Sequence, residues 1–291
     1  MKPSSFVYHR PTTIEDALDL LAEIGSDGKV LAGGQSLVPL MSMRLAAPAH
    51  LVDVNRIDGL AGIQTDVDGV RVGATARHAD VEHHEAAYAA VPLLRQAVKH
   101  VAHPTIRNRG TTVGSLAHAD PSGEMTAVLA LLGGTVTLRR RGGERRLAAG
   151  EFFVGPLESA VGPGELAVEA FFPRPAPRSG TAWAEVSRRH GDYAVCGVGA
   201  VVTLGEDRRV EAAKVGLISV GPTPVVVDVT DAIVGQSADA VEAERAGRLV
   251  MDTVDPDADI HATAEYRRHL AGTLAARALT EAAARASEGA A

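Results

Sequence analysis

Cysteine is almost absent from this sequence, since Cys196 is the only one in 291 residues. A single thiol excludes an intrachain disulfide, and it is too few for an iron–sulfur cluster, which several cysteine ligands ordinarily hold. The N-terminal segment also lacks the apolar run of a secretory signal peptide. We therefore expect a cytoplasmic protein without an iron–sulfur cluster of its own.

Aromatic residues and long apolar runs are scarce as well. Phe, Trp and Tyr make up 3% of the chain, against 46% for hydrophobic residues as a whole, so we expect a core built mainly from Val, Leu and Ala. No stretch approaches the roughly 18 consecutive apolar residues of a membrane helix, and we predict no membrane span. The net charge of −7 argues against nucleic-acid binding, which ordinarily uses a basic face. The basic cluster Arg139–Arg146 reads as a solvated hairpin turning at Gly142–Gly143.

Two familiar nucleotide-binding fingerprints are missing. No G-x-G-x-x-G follows the first predicted strand, and no G-x-x-x-x-G-K-[ST] loop occurs in the sequence. A dinucleotide would therefore need another fold. Histidine pairs such as His100-x-x-His103 lack further ligands at a recognised zinc spacing, so no metal site is predicted. No G-x-S-x-G elbow is present, and no residue is assigned a catalytic role.

The sequence divides at the Pro-rich stretch Pro173–Gly180, which has the composition of a linker. Before it, predicted strands and helices alternate, and an irregular run over residues 103–123 precedes a buried helix at Glu124–Leu132. After it, three segments predict an antiparallel sheet, and two helices, about 238–252 and 262–286, close the chain. The three strand segments are Ala182–Arg188, Val198–Leu204 and Val210–Val220.

The first candidate site is the segment Ala32–Ser36 (AGGQS), which lies between the strand Lys29–Ala32 and a predicted helical turn. A pyrophosphate needs several backbone N–H groups that converge on it, and glycines permit that close approach. A serine hydroxyl and a following helix N-terminus add further donors. The residues alone leave a phosphate cradle and a tight structural turn equally open.

The second candidate site is Arg109–Glu124 (RGTTVGSLAHADPSGE). Glycine amides and threonine or serine hydroxyls suit phosphates, whereas the carboxylates of Asp120 and Glu124 suit ribose hydroxyls. The alternative is a long surface loop, although a loop this rich in polar donors is more often functional.

The third candidate site is Arg188–Ala194 (RRHGDYA), at the end of a predicted strand. Here Tyr193 would lie against a flat ring and Asp192 would accept a hydrogen bond from it. Spacing alone favours the alternative, a β-turn with a half-buried tyrosine.

Taken together, five segments resemble one family. The family is that of the FAD-binding medium subunits of molybdenum hydroxylases, which includes carbon monoxide dehydrogenase and xanthine dehydrogenase. The five segments occur in the same order and at the same separations as in this family, and they span nearly the whole chain. The segments are Ala32–Met41 (AGGQSLVPLM), Ile106–Glu124 (IRNRGTTVGSLAHADPSGE), Arg188–Ala200 (RRHGDYAVCGVGA), Ser219–Val225 (SVGPTPV) and His261–Ala271 (HATAEYRRHLA).

The resemblance implies an α+β fold in two domains. Residues 1–176 would form an FAD-binding domain of the vanillyl-alcohol-oxidase (PCMH) type, with subdomains at about 1–55 and 56–176. Residues 181–287 would form a domain like the C-terminal domain of carbon monoxide dehydrogenase flavoproteins, with a small three-stranded antiparallel sheet and helices.

The resemblance also implies a role. A small partner subunit would carry two [2Fe–2S] clusters and a large one would carry molybdopterin, and the three chains would form a dimer of heterotrimers. The medium subunit would pass electrons from the clusters through FAD to an acceptor, and NAD, a quinone and oxygen remain open. A stand-alone FAD-dependent oxidoreductase acting on a small organic substrate is the alternative, and a cofactor-free scaffolding protein that kept the fold is a third.

The family's FAD contacts fall on identifiable residues. Its first loop falls on Ala32–Ser36 and its second on Thr111–Ser115, preceded by Val101. Its acidic contact falls on Glu124, with Asp120 as a neighbouring candidate. The predicted cofactor-binding residues are Ala32, Gly33, Gly34, Gln35, Ser36, Leu37, Val101, Thr111, Thr112, Gly114, Ser115, Asp120, Glu124, Leu166, Asp192 and Tyr193.

Two positions depart from the family pattern. Val113 stands where relatives usually have glycine, and a β-branched residue resists positive φ, so we expect a different backbone in that stretch. Ala184 and Glu185 stand where relatives often have lysine. An acid near the flavin would disfavour its anionic reduced form and lower its potential.

Overall fold

A short parallel sheet forms the N-terminal part of the molecule, a computed structural model that describes residues 2–289. The first helix packs Ala17, Leu18 and Leu21 into the same core as Val52 of the middle strand. The elements are β1 (Val7–His9), α1 (Ile14–Ile24), β2 (Gly28–Leu31), α2 (Leu37–Ser42) and β3 (His50–Asp53). The sheet order is β1–β3–β2, and both pairings are parallel.

Local signals set the ends of α1. The Thr13 hydroxyl accepts a hydrogen bond from the Asp16 backbone N–H at 3.1 Å, which satisfies one of the free donors of the first turn. The Gly25 C-cap has φ of 54°, a conformation that favours glycine.

An antiparallel sheet organises the middle of the chain, and it buries Val72, Val136 and Phe172 in the central core. The elements are β4 (Ile63–Thr65), β5 (Gly69–Gly73), α3 (His78–His83), α4 (Glu85–Ala90), α5 (Pro92–Val98), α6 (Pro104–Arg107), α7 (Thr112–His118), α8 (Glu124–Leu131), β6 (Thr135–Arg140), β7 (Gly143–Ala148), α9 (Ala149–Phe152), β8 (Phe153–Gly155), β9 (Glu158–Ser159) and β10 (Leu166–Pro173). The sheet order is β4–β5–β10–β6–β7, and β8 pairs with β9 separately. The hairpin predicted over Arg139–Arg146 is the pair β6–β7.

The run over residues 103–123, expected to be irregular, contains the helices α6 and α7. Pro104 begins α6 at its first position, where a proline fits because no N–H is needed. The helix α7 ends at Ala119, which adopts a left-handed conformation with φ of 53°. The many Gly, Thr and Asp residues therefore mark the ends of short helices, which sequence composition does not separate from a loop.

The C-terminal part contains four strands within the described residues, so the predicted three-stranded sheet was wrong. The additional strand pairs Val225–Asp228 with Lys214–Leu217. This strand is short and follows Gly-Pro-Thr-Pro, so the sequence has no alternating apolar and polar pattern that would predict it. The elements are β11 (Ser179–Ser187), β12 (Ala194–Leu204), β13 (Val210–Ile218), β14 (Val225–Asp228), α10 (Thr230–Ile233), α11 (Glu244–Thr253) and α12 (Ala264–Gly289). The sheet is an antiparallel meander in chain order.

The penultimate helix also starts later than expected. Residues Ala238–Ala240 form a turn of 3₁₀-helix, and α11 begins at Glu244. The last helix, α12, packs along the C-terminal sheet through small side chains, including Ala275, Ala278 and Ala282, which are fully buried. Among residues 2–289, no helix combines the length and the apolar character needed to cross a membrane.

Gly180 fixes how closely α12 approaches β11. A Cβ at this position would overlap the Ala282 carbonyl oxygen and the Ala286 amide nitrogen, both helix backbone atoms. We predict that Gly180→Ala lowers the free energy of unfolding by about 1–3 kcal/mol, because the helix must move away from the sheet. Denaturant unfolding measures this.

The matched control is Gly150→Ala in α9, where a Cβ meets no atom within 4 Å. Alanine favours helix over glycine, so this variant should be as stable as the parent or more so. Equal stability of the Gly180→Ala variant and the parent would contradict the proposed close approach.

Candidate functional site

The AGGQS segment leaves the carboxyl end of the parallel strand β2. Binding sites of α/β sheets commonly lie at such strand ends. Gly34 has φ of 72°, which favours glycine, and its carbonyl accepts the Val38 amide at 3.0 Å as α2 begins. Gln35 donates from Nε2 to the Gly33 carbonyl at 3.2 Å. The side chain of Gln35 therefore braces the loop that contains it.

The AGGQS segment lies directly against the second candidate segment. A Cβ on Gly33 would lie 2.5 Å from the Arg109 carbonyl oxygen, 2.7 Å from Gly110 Cα and 2.9 Å from Thr111 N. The absence of a side chain at Gly33 thus allows the two backbones to touch. The fold brings together the two glycine-containing segments, which are far apart in the sequence.

The second segment enters α7 through Thr111, its N-cap residue. The Thr111 hydroxyl is buried and has no hydrogen-bond partner within residues 2–289. A Cβ on Gly114 would overlap this hydroxyl, so glycine leaves the space that the hydroxyl occupies. An unsatisfied buried hydroxyl is costly, and a ligand oxygen beside it would remove that cost.

Val113 does not disturb the second segment. It lies in the first turn of α7, is not among the residues with positive φ, and is 2% exposed. Its side chain packs into the central core with Leu116. Helical backbone requires no positive φ, so the expected conflict between valine and the backbone does not arise at this position.

His78 contacts the same segment through its ring and its backbone, and the sequence did not mark it as a site residue. Its ring is buried, and Nδ1 lies 3.2 Å from the Thr112 hydroxyl. Its backbone N–H donates to the Gly110 carbonyl at 2.9 Å. Burial and the nearby charge of Arg107 lower the pKa of His78 to about 4, so the ring is neutral at pH 7. Asn55 and Arg77, which the sequence did not mark either, connect the two segments through side-chain hydrogen bonds.

A buried glutamate, Glu124, and a half-buried one, Glu185, interact beside the second segment. Glu124 begins α8, and Glu185 lies on β11, where it accepts a hydrogen bond from Trp183 Nε1 at 3.0 Å. Burial and the charge of Glu185 raise the pKa of Glu124 to about 8, with a further contribution from Asp120. Burial raises the pKa of Glu185 to about 7. The pair therefore retains protons near neutral pH.

Tyr193 and Asp120 lie on the same side as this pair. Partial burial and the charges of Asp120 and Glu124 raise the pKa of Tyr193. Its side chain is nevertheless 72% exposed, and Asp192 is also exposed. Asp120 accepts the Ser122 amide at 2.8 Å, which shapes the turn between α7 and α8.

The remaining predicted residues lie nearer the core. Leu166 is 3% exposed and packs in the same cluster as Val52, against which Ala32 also packs. Val101 is half-buried at the end of the α5 segment, where its carbonyl accepts from Arg107 at 3.2 Å. Leu37 is half-buried at the start of α2, and Ser115 is half-buried in α7.

Of the last two resemblance segments, the one that begins at Ser219 contacts this region, and the one that contains Arg267 braces the C-terminal sheet. The Ser219 amide donates to the Pro121 carbonyl at 2.9 Å. Arg267, 7% exposed, donates to the Val195 and Ser219 carbonyls at 2.7 and 3.1 Å and pairs with Asp259 at 2.7 Å. Both segments act through structure, because their polar groups bind the protein's own backbone.

Comparison with known families assigns both parts of the chain. Residues 4–175 match the FAD-binding domain found in molybdopterin dehydrogenases, and residues 181–282 match the C-terminal domain of carbon monoxide dehydrogenase flavoproteins. The chain belongs to the family of FAD-binding medium subunits of molybdenum hydroxylases. The family membership predicted from the five segments is confirmed, and the chain is an oxidoreductase subunit of this family.

Curated relatives match over almost their full length. The alpha subunit of the 6-hydroxypseudooxynicotine dehydrogenase complex of Paenarthrobacter nicotinovorans is 39% identical, with 98% of this chain and 97% of the relative covered. The carbon monoxide dehydrogenase medium chain of Afipia carboxidovorans is 37% identical, with 98% and 99% covered.

Solved structures agree with the family assignment. A chain of the reconstituted carbon monoxide dehydrogenase of Oligotropha carboxidovorans superimposes with a TM-score of 0.91 at 35% identity, with 98% of this chain and 100% of that chain covered. A chain of quinoline 2-oxidoreductase from Pseudomonas putida 86 gives 0.92 at 32% identity, with 98% and 99% covered. The α+β fold of the FAD-binding medium subunit is thereby confirmed.

The residues present fit FAD. Glycines bring two backbone segments together, and the buried Thr111 hydroxyl has no partner within residues 2–289. These are the features that a dinucleotide's phosphates require, because phosphate oxygens accept hydrogen bonds from amides and hydroxyls.

The glutamate pair predicts a pH dependence of stability. Both pKa values in the folded protein lie above the ordinary value of 4.5. The folded state thus retains protons that the unfolded state releases, and stability falls as pH rises from about 4.5 through about 8. We predict that Glu185→Gln reduces this loss by on the order of 1 kcal/mol, because it removes both the raised pKa of Glu185 itself and the like charge beside Glu124.

Unfolding free energies of the parent and the variant at about pH 6 and about pH 9 measure the effect. Glu211→Gln, at an exposed position of β13, serves as the control and should leave the difference between the two pH values unchanged. An unchanged difference in the Glu185→Gln variant would show that the two carboxyl groups do not interact.

Proposed function

We propose that this chain holds FAD between the AGGQS segment and the segment Arg109–Ser115. In this proposal it passes electrons from [2Fe–2S] clusters of a small partner subunit to an external acceptor. The observation that carries the proposal is the contact between Gly33 and the backbone of residues 109–111. It creates one surface from two segments that each offer amides and hydroxyls to an anion.

The proposed phosphate contacts come from both segments. Gly33, Gly34 and Ser36 offer amides and a hydroxyl from the first, and Thr111 and Ser115 offer hydroxyls from the second. Ala32, Gln35, Leu37, Thr112 and Gly114 complete the two segments and shape their backbones. Each donor is supplied by residues whose positions are set by the sheet end and by α7 rather than by a flexible loop.

The proposed flavin surroundings are the acidic side of the site. Glu124, Asp120, Asp192 and Tyr193 lie there, while Val101 and Leu166 contribute from the protein interior. When bound, FAD supplies a ring system that accepts two electrons and releases them singly or in pairs. A protonated carboxyl of the Glu124–Glu185 pair donates a hydrogen bond, whereas an ionised one repels a reduced, anionic ring.

The proposed assembly includes a small [2Fe–2S] subunit and a large molybdopterin subunit, arranged as a dimer of heterotrimers in the cytoplasm. Relatives carry names such as medium chain and FAD-subunit, which denote parts of larger enzymes. The single cysteine of this chain supports a division of labour in which another chain holds the clusters. The large subunit then selects the hydroxylated substrate.

The proposed organisation places an FAD-binding domain of the vanillyl-alcohol-oxidase (PCMH) type in residues 1–176, with subdomains at about 1–55 and 56–176. A C-terminal domain spans residues 181–287. The parallel and central sheets within the first range, and the separate core of the C-terminal sheet, support this division.

A second candidate function is a stand-alone FAD-dependent oxidoreductase. One observation favours it: the Glu124–Glu185 pair has pKa values of about 8 and about 7, which suit a general base near neutral pH. Such a base is what a flavin enzyme needs to remove a proton from an organic substrate. The two functions differ in whether reduction requires a partner.

We predict that Gly33→Ala prevents FAD binding. The added methyl group would displace the Arg109–Thr111 backbone. FAD binding would be lost because the two segments move apart, in addition to any obstruction of the phosphate. The FAD content of the purified chain, read from visible absorbance, measures the effect. Gly62→Ala, where a Cβ meets nothing within 4 Å, is the control and should bind FAD normally.

Thr111→Val tests the same assignment without a steric change. It removes the buried hydroxyl and should weaken FAD binding by about 10-fold, since a hydrogen bond to a charged group is lost. If both Gly33→Ala and Thr111→Val retain full FAD affinity, the proposed phosphate site is incorrect.

We predict that organic substrates reduce the FAD-loaded chain rapidly only when the co-expressed [2Fe–2S] and molybdopterin subunits are present. Stopped-flow measurements with aldehydes and N-heterocycles, with and without these partners, check this. Reduction by NADH alone agrees with the proposal, because electron transfer between flavin and NAD is then running in reverse. Rapid reduction by an organic substrate without a partner, lost in Glu124→Gln, would establish the stand-alone enzyme instead.

A further inference from the structure

A side-chain amide holds the first segment at the end of the parallel sheet. Asn55 follows β3 and donates from Nδ2 to the Ala32 carbonyl at 2.8 Å. The same amide nitrogen lies 2.6 Å from the Asp53 carboxylate, and the Asn55 backbone N–H donates to that carboxylate at 2.9 Å. Asn55 is therefore fixed at both ends, and its side chain sets the position of Ala32.

An arginine holds the second segment to the same asparagine. Arg77 donates from Nη2 to Asn55 Oδ1 at 2.7 Å and from Nη1 to the Arg109 carbonyl at 2.7 Å. Its own backbone forms an antiparallel bridge with Thr111. The chain of hydrogen bonds therefore runs from the Ala32 carbonyl through Asn55 and Arg77 to the Arg109 carbonyl, and it spans both segments.

The chemistry of the bridge leaves little freedom. Arginine has only donors, so Asn55 must present its oxygen to Arg77 and its nitrogen to Ala32. The planar guanidinium reaches two acceptors at a fixed separation, which the single ammonium of lysine does not do. The distance between the two segments is thus set by two side chains of defined length.

Charges of both signs surround the bridge. Burial and the like charge of Arg109 lower the pKa of Arg77, whereas the charges of Asp80 and Asp53 act in the opposite direction. Asp80 accepts a hydrogen bond from the Arg77 amide, and Asp53 accepts one from the Asn55 side chain.

We propose that Arg77 and Asn55 are positioning residues for FAD, which hold the two segments at the separation that the cofactor's diphosphate requires. This inference rests on the proposed assignment of those segments to FAD. The bridge joins backbone carbonyls of the two segments and uses none of their amides, although the Gly110 and Thr112 amides already donate to the Ile106 and Ala76 carbonyls. Its role is to preorganise the site, so its loss should appear chiefly as faster FAD dissociation.

The test uses the full chain freed of FAD and then titrated with it. Arg77→Lys and Asn55→Leu should each weaken FAD binding by about 10-fold or more. The loss of affinity should arise from a faster dissociation rate of FAD. Fluorescence of the free flavin reports both quantities. The double variant should bind no more weakly than the weaker single variant, because either change breaks the same bridge.

The matched control is Arg145→Lys. Arg145 also joins a side chain to a backbone carbonyl, since it contacts the Glu165 carboxylate at 2.8 Å and the Ala160 carbonyl at 2.6 Å, but it lies outside the two segments. This variant should keep parental FAD affinity. Unfolding of each FAD-free variant is measured in parallel, and the affinity loss in the Arg77 and Asn55 variants should exceed any loss of stability.

The outcomes separate the two proposals. If Gly33→Ala and Thr111→Val weaken FAD binding while Arg77→Lys and Asn55→Leu do not, the positioning role is overturned and the FAD site stands. If none of the four variants affects FAD binding, the site itself is overturned. Affinity losses that merely follow lost stability, or that add fully in the double variant, also overturn the positioning role.

Discussion

The candidate site depends on the approach of two backbones at Gly33. Any side chain there would meet the backbone of Arg109–Thr111, so one missing methyl group allows the parallel sheet and the start of α7 to share a surface. The bridge from Asn55 to Arg77 holds the same contact by hydrogen bonds. The contact places Thr111, the N-cap residue of α7, directly beside the AGGQS segment.

Much of this arrangement is readable in the sequence, because glycine-rich segments and a five-part resemblance mark both halves of the site. The sequence does not reveal which side chains contact one another once the chain has folded. Nothing near Arg77 indicates that it reaches Asn55, and Val113 looked disruptive until its helical backbone placed it in the core. Similarly, β14 has only four residues, too few for an alternating pattern, and its pairing with β13 defines it.

The acidic side of the site shows how one side chain changes the chemistry of its neighbour. Glu185 is half-buried, and its charge acts on Glu124. A cation there would keep Glu124 ionised, whereas a second acid favours its protonation. This chain therefore surrounds its proposed flavin site with groups that exchange protons near neutral pH, and the family resemblance alone does not predict that property.

The distance in sequence between Gly33 and the Arg109–Thr111 segment has a thermodynamic consequence. Neither segment retains the geometry of the site when the chain is unfolded, so a ligand that needs both binds the native state alone. Such binding adds to stability by mass action, in proportion to the logarithm of the free ligand concentration once the site is nearly full. The FAD-loaded chain should then be harder to unfold than the FAD-free chain, by an amount that the concentration of free cofactor sets.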